Sequence, residues 1–256
     1  MKGAASVTLA AAVACAPALR STATNPPGPS EVAQLWQEPA DLDRRDLFHG
    51  PGGRIGVPPP GAVWRFKSAD TTGYSRGYDV VGPDGREWDV KLGLEAPTEV
   101  VASRILWAVG YHQPPTYVVT EWRLGEAPGI DQTHVQPFAR FRADVPGMKA
   151  AGEYFPGTRN NPRDYERQAF ITGVRNGRVP FAYGGRHHGL LDSITPADVV
   201  WICERLDRLT DRQWTDVFRA AAYVEDARVR ILTTIERHIK EGLALGDRQA
   251  AWAVTR

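Results

Sequence analysis

Two short runs, Tyr78-Asp79-Val80-Val81 and Arg86-Glu87-Trp88-Asp89-Val90-Lys91, flank the tripeptide Pro83-Asp84-Gly85. Proline presets one backbone angle, aspartate bonds its own turn, and glycine accepts a positive φ, so the chain must double back here as a β-hairpin. Upstream, Val63-Trp64-Arg65-Phe66 clusters like another strand, and Gly73 and Gly77 lie between it and the hairpin. Downstream the period changes. Pro97 suits a first helical turn, Thr98 and Glu99 lie where the helix dipole is positive, and Val101, Ile105, Leu106 and Val109 recur at helical spacing until Gly110. Pro114-Pro115 then leads into a strand over Thr116–Thr120.

The C-terminal part reads as helical. Thr195-Pro196-Ala197-Asp198 is a capping sequence before Val199, Ile202, Cys203, Leu206 and Leu209. Thr210 and Gln213 form a second capping box, followed by Trp214, Val217 and Phe218. Ala227, Ile231, Ile235 and Ile239 recur every four residues in a third helix expected to end near Gly242. Between Glu121 and Thr195 the pattern supports one helix, from Asp164 to Val174, and a hairpin at Arg175-Asn176-Gly177-Arg178. Near the start, Ser30 reads as the cap of a short helix through Val32, Leu35 and Trp36, and Gly50 to Gly61 as a loop. The expected class is α+β: a small antiparallel sheet with one packed helix over residues 30–121, then a loop-rich segment and helical bundle over 122–256.

Residues 1–20 read as an export signal: a basic Lys2 followed by the small-residue apolar run Val7 to Ala14. Ala12-Val13-Ala14-Cys15 is similar to a lipobox, which would make Cys15 a lipid anchor, although alanine stands where leucine is usual. Ordinary cleavage after Ala18 is the alternative. Residues 21–29, rich in Pro, Ser and Thr, form an extended tether. The expected location is the cell envelope or outside the cell, with membrane contact only through this N-terminus. Cys203 sits in an apolar helical stripe and reads as a buried, inert thiol.

Composition narrows the partners. The 31 Lys+Arg and 30 Asp+Glu leave a formal net charge of +1, which argues against nucleic acid held through its phosphates. With 42% hydrophobic and 24% charged residues the chain is of ordinary globular make-up. Two cysteines exclude a disulfide scaffold or a cysteine-rich zinc protein.

A lysine at a strand end facing a glutamate on the following helix can hold nucleotide phosphates while the glutamate fixes its rotamer, and a glycine-bearing loop can close over them. Lys91 and Glu99 have that spacing, within VKLGLEAPTEVVASRILWAVGYHQPP. This stretch resembles the N-terminal lobe of the kinase-like superfamily, in its HipA-type and phosphoinositide-kinase-like branch. The resemblance spans roughly Val63 to Glu121, under a quarter of the chain. It implies that Lys91 binds phosphate with Glu99 as its partner, that Gly73 and Gly77 belong to the covering loop, and that Val118 to Glu121 is the strand entering the adenine hinge. ATP with Mg²⁺ would be the ligand of a retained site. The plainer reading of Lys91 and Glu99 is an exposed ion pair worth little energetically.

Catalysis by such a fold needs an aspartate with an asparagine five residues on, and a second metal-binding aspartate. Five residues after Asp131, Asp144, Asp164 and Asp192 stand Gln136, Lys149, Ala169 and Ala197, and no Asp-Phe-Gly occurs. No catalytic residue is therefore expected. Nor is a metal: adjacent His187 and His188 in an extended segment point to opposite faces, which makes chelating one ion difficult. Asn160-Asn161-Pro162-Arg163-Asp164 reads equally as a functional loop or a helix start, and no serine lies in a nucleophile elbow. The sequence thus points to an exported protein with a degenerate kinase-like body that binds or scaffolds an unidentified protein or small molecule. An active ATP-dependent phosphotransferase is the first alternative, and a plain envelope domain without ligand the second.

Overall fold

The computed structural model describes residues 28–70, 75–93, 96–126, 129, 133–136, 138–146, 148, 166–167, 169–182 and 191–254. The expected signal with Cys15, the loop glycine Gly73, the Asn160-Asn161 segment and His187-His188 lie outside the described residues.

Six strands form one curled, mixed sheet. They are β1 (Val63–Asp70), β2 (Gly77–Val81), β3 (Glu87–Lys91), β4 (Thr116–Val119), β5 (Arg123–Gly125) and β6 (Ala139–Ala143), in the order β4-β6-β3-β2-β1-β5. The β2–β3 hairpin is as expected: Gly85 takes φ 80° and its N–H bonds Gly82 O at 2.9 Å. Every pairing is antiparallel except β1–β5, so the sheet is not wholly antiparallel. The chain leaves β4 at one edge and reaches the free side of β1 at the other, where Arg123 N bonds Ala62 O at 3.0 Å and Gly61 N bonds Glu121 O at 3.0 Å.

The sheet therefore runs on past Glu121. β6 threads between β3 and β4 although it carries two arginines, because Ala139, Phe141 and Ala143 alternate with them and fill the core. That core is one sheet face bearing Trp64, Trp88, Trp122, Phe141, Val80 and Val90, all buried. Edge-on ring contacts, such as Trp122 on Phe141 at 5.2 Å between centroids, give it a fixed geometry.

Helix α1 (Pro29–Ala33) is shorter than expected, and its cap is Gly28, not Ser30. The Glu31 carboxylate accepts the Gly28 N–H at 2.9 Å, which places the cap two residues earlier. Helix α2 (Ala96–Ala108) follows β3 and packs on β4 and β6. Helices α3 (Pro196–Asp207) and α4 (Asp211–Ala220) begin at the anticipated boxes, Thr195/Asp198 and Thr210/Gln213. Helix α5 (Glu225–Val254) does not stop near Gly242. Gly242 serves packing instead: a methyl group there would stand 2.3 Å from Cys203 Sγ on α3, so only glycine lets the two helices approach this closely.

The hairpin at Arg175–Arg178 is present, with Asn176 at φ 52° and Gly177 at φ 70°. The helix expected to reach Val174 does not. Thr172 N bonds Pro180 O at 2.9 Å and Ala182 N bonds Phe170 O at 3.1 Å, so residues 170–174 form a ladder arm of that hairpin.

A second core lies between α2 and the C-terminal helices, and the N-terminal segment helps to build it. Leu42 and Leu47 are buried there with Val100, Val199, Trp214, Val217 and Phe218. Gln213 Nε2 donates to Leu42 O at 2.7 Å, Arg208 meets Asp43 at 2.9 Å, and Trp36 packs on Trp201. Among the described residues no helix is long and apolar enough to cross a membrane.

Candidate anion-binding site at the β3, β6 and α2 junction

Alternation along β3 decides which side chains reach the site. Trp88 and Val90 go to the aromatic core, so Glu87, Asp89 and Lys91 go to the other face. On β6 the same rule buries Ala139, Phe141 and Ala143 and sends Arg140 and Arg142 to the side of Lys91. Lys91 lies directly opposite Arg140 on β6 and Gly77 on β2.

Two cations directly opposed across antiparallel strands repel, unless an anion lies between them. Glu99, in the first turn of α2, supplies it. Its Oε1 accepts from Lys91 Nζ at 2.6 Å and its Oε2 from Arg140 Nε at 2.8 Å. Arg140 NH1 also donates to the Asp89 backbone carbonyl at 2.9 Å and lies 3.2 Å from Asp89 Oδ1. Arg142 pairs with Asp89 from the outer side.

The pair expected between Lys91 and Glu99 is therefore made. It is not an exposed surface pair: the two side chains are 16% and 11% exposed, and Arg140 only 4%. Coulomb attraction is stronger at such depth than between groups exposed to water.

The other expected residues are placed differently. Gly77 opens β2 beside Lys91, and a methyl group there would come within 3.0 Å of Val90 O, so the position is close-packed. Glu121 is exposed, beyond the end of β4 on the sheet edge, and β6 separates β4 from β3. Arg140, Asp89 and Arg142 were not anticipated. The alternation in Ala139-Arg140-Phe141-Arg142-Ala143 carries the signal for the two arginines.

Residues remote from the pair fix α2. Its Arg104 is buried, with NH2 donating to Thr116 O on β4 at 2.7 Å and the guanidinium over the Tyr117 ring. Burial pushes that guanidinium down to about 10, and the Tyr117 and Asp46 charges oppose the shift. At the C-terminal end Trp36 Nε1 donates to Val109 O at 2.8 Å and Arg45 donates to Trp107 O. Thr98 meets the Tyr223 hydroxyl at 3.0 Å.

Lys91 offers a charged donor group whose direction Glu99 sets, chemistry of the kind that can meet an anion. Among the described residues no three His, Cys, Asp or Glu side chains are grouped to hold a metal ion. Compared with protein-family models, curated proteins and solved structures, the chain matches none.

Proposed function

We propose that this protein is an exported, cell-envelope protein with a degenerate kinase-like body, which binds a nucleotide through its phosphates at Lys91 and does not transfer the phosphoryl group. The observation that carries the reading is the sheltered Lys91–Glu99 pair, which joins the end of β3 to the first turn of the next helix at 2.6 Å. The strand order β1-β2-β3-β6-β4, with α2 inserted after β3, supports it by placing both residues at one junction. In this reading the strand beside β3 that leads toward the C-terminal half is β6, so Asp144 and Val145, rather than Glu121, border the nucleotide's base. The absence of an aspartate–asparagine pair at catalytic spacing supports binding without turnover. The envelope location rests on the signal-like residues 1–20 and the tether.

Thermal unfolding of the full chain with ATP, ADP and AMP, each with and without Mg²⁺, tests the reading. Ligand at about a hundred times its Kd stabilises the folded state by about 2.7 kcal/mol, a shift of several degrees. ATP and ADP should raise the melting temperature, AMP less, and Lys91→Ala should abolish the shift. No shift in the wild-type protein returns the plain envelope domain. Release of γ-phosphate or labelling of an acceptor identifies an active phosphotransferase.

A further inference from the structure

We infer that Arg140 is a positioning residue that holds α2 on the sheet independently of Lys91, so that Lys91 can turn from Glu99 to an anionic ligand while the helix stays in place. The role given to Lys91 rests on the function proposed above; the anchoring of α2 does not.

The Glu99 carboxylate has two oxygens and gives one to each cation, so losing Lys91 leaves the Arg140 contact standing. Arg140 is itself held. Its NH1 bonds the Asp89 carbonyl, its side chain is 4% exposed, and β6 is paired on both sides, by β3 and by β4. A planar guanidinium bonded at two of its nitrogens cannot swing without breaking both contacts, whereas an ammonium on a four-carbon stem can turn about single bonds. The far end of α2 is pinned by elements other than β3, through Arg104 to Thr116 O and through Trp36 and Arg45 to Val109 O and Trp107 O. Lys91 is thus not required as the tie between helix and sheet. A carboxylate held by a second cation also draws less strongly on the first, which favours exchange of Lys91 onto phosphate.

Hydrogen exchange of the full chain, read at the α2 amides of residues 99–104, tests this in the wild-type protein, Lys91→Ala, Arg140→Ala and Arg140→Gln. Lys91→Ala should leave exchange there within about threefold of wild type, while Arg140→Ala should speed it at least about tenfold with α3 and α5 unchanged, the mark of local opening. Should Arg140→Ala fail to fold, Arg140→Gln, which keeps a donor near Asp89 O and loses the charge, carries the comparison. Arg140→Lys, which restores charge and one contact, should recover part of the protection. Calorimetry with ATP adds a readout beyond structure: Arg140→Gln should weaken binding about tenfold, and Lys91→Ala should remove it while α2 stays protected. Equal loss of α2 protection in the Lys91 and Arg140 variants, or full protection in both Arg140 variants, overturns the inference. A wild-type protein that ignores ATP overturns the proposed function, and the exchange pattern still decides the anchoring.

Discussion

Lys91 and Arg140 face one another on neighbouring strands, and the carboxylate of Glu99 stands between them. Helix α2 is thereby part of the electrostatic balance of the sheet. Without Glu99, the two cations would repel at partial burial.

That balance predicts unequal costs. Arg140→Ala strips one cation from both Glu99 and Asp89 and should cost about 3 kcal/mol, as for a broken buried pair. Lys91→Ala leaves Glu99 paired with Arg140 and should cost less than half as much. Urea unfolding of the two variants checks the order, and equal costs would contradict it.

Gly50 and Arg104 should be strongly coupled. Gly50 has φ 66°, and a methyl group there would stand 2.3 Å from the guanidinium carbon. The positive φ alone costs an alanine about 1–2 kcal/mol, and displacing the buried guanidinium adds to it. Among the described residues Arg104 Nε and NH1 have no hydrogen-bond partner, so Arg104→Met should cost little beyond the bond to Thr116 O. In the Arg104→Ala background the penalty of Gly50→Ala should fall by at least about 1 kcal/mol. A double-mutant cycle by denaturant unfolding measures it, and additive effects would show that the two residues do not share the space.

Cys203 and Gly242 make a second such pair. Alanine at 242 gains about 1 kcal/mol of helix propensity, yet overpacking against Sγ costs about 1–3 kcal/mol. Gly242→Ala should destabilise the wild-type protein and become neutral or stabilising beside Cys203→Ala. Burial, with a smaller push from Asp207, raises the Cys203 thiol to about 11. At about pH 8 only about one thiol in a thousand is then ionised, so a disulfide reagent should label it at the rate of unfolding. Rapid native-state labelling would contradict the packing.

The cap of α3 should set a pH-dependent share of stability. The Thr195 hydroxyl and backbone N–H donate to Asp198 Oδ2 at 2.7 and 2.8 Å and hold its carboxyl below the usual 3.8, aided by the Arg178 charge. A carboxyl depressed in the folded state contributes stability above its unfolded pKa, and that contribution fades as pH falls through the folded value. Asp198→Asn should therefore lose about 1 kcal/mol at neutral pH, and the gap to wild type should narrow only below about pH 4. Stability curves across pH check it, and a gap independent of pH would assign the cap to shape alone.

Much of this was legible because local chemistry agreed with the tertiary result. Pro83-Asp84-Gly85 makes its turn with local bonds, Gly85 N to Gly82 O, and Thr195 and Thr210 cap their helices with their own neighbours. The pairing of Lys91 with Glu99 could be read because strand, loop and helix follow one another without interruption. Arg140 could not be read as their partner: it is 41 residues beyond Glu99, on a strand that returns after β5 has crossed to the far edge. Gly242 misled for a related reason. A glycine that ends a helix and one that admits a neighbouring helix look alike until the neighbour, Cys203, is in place.

The central claim is most directly tested by calorimetric titration of ATP with Mg²⁺ into the full chain, with phosphate release followed in the same samples. The account predicts saturable one-to-one binding without turnover in the wild-type protein, and no binding in Lys91→Ala. Absence of binding by the wild-type protein, or undiminished binding by Lys91→Ala, would contradict it.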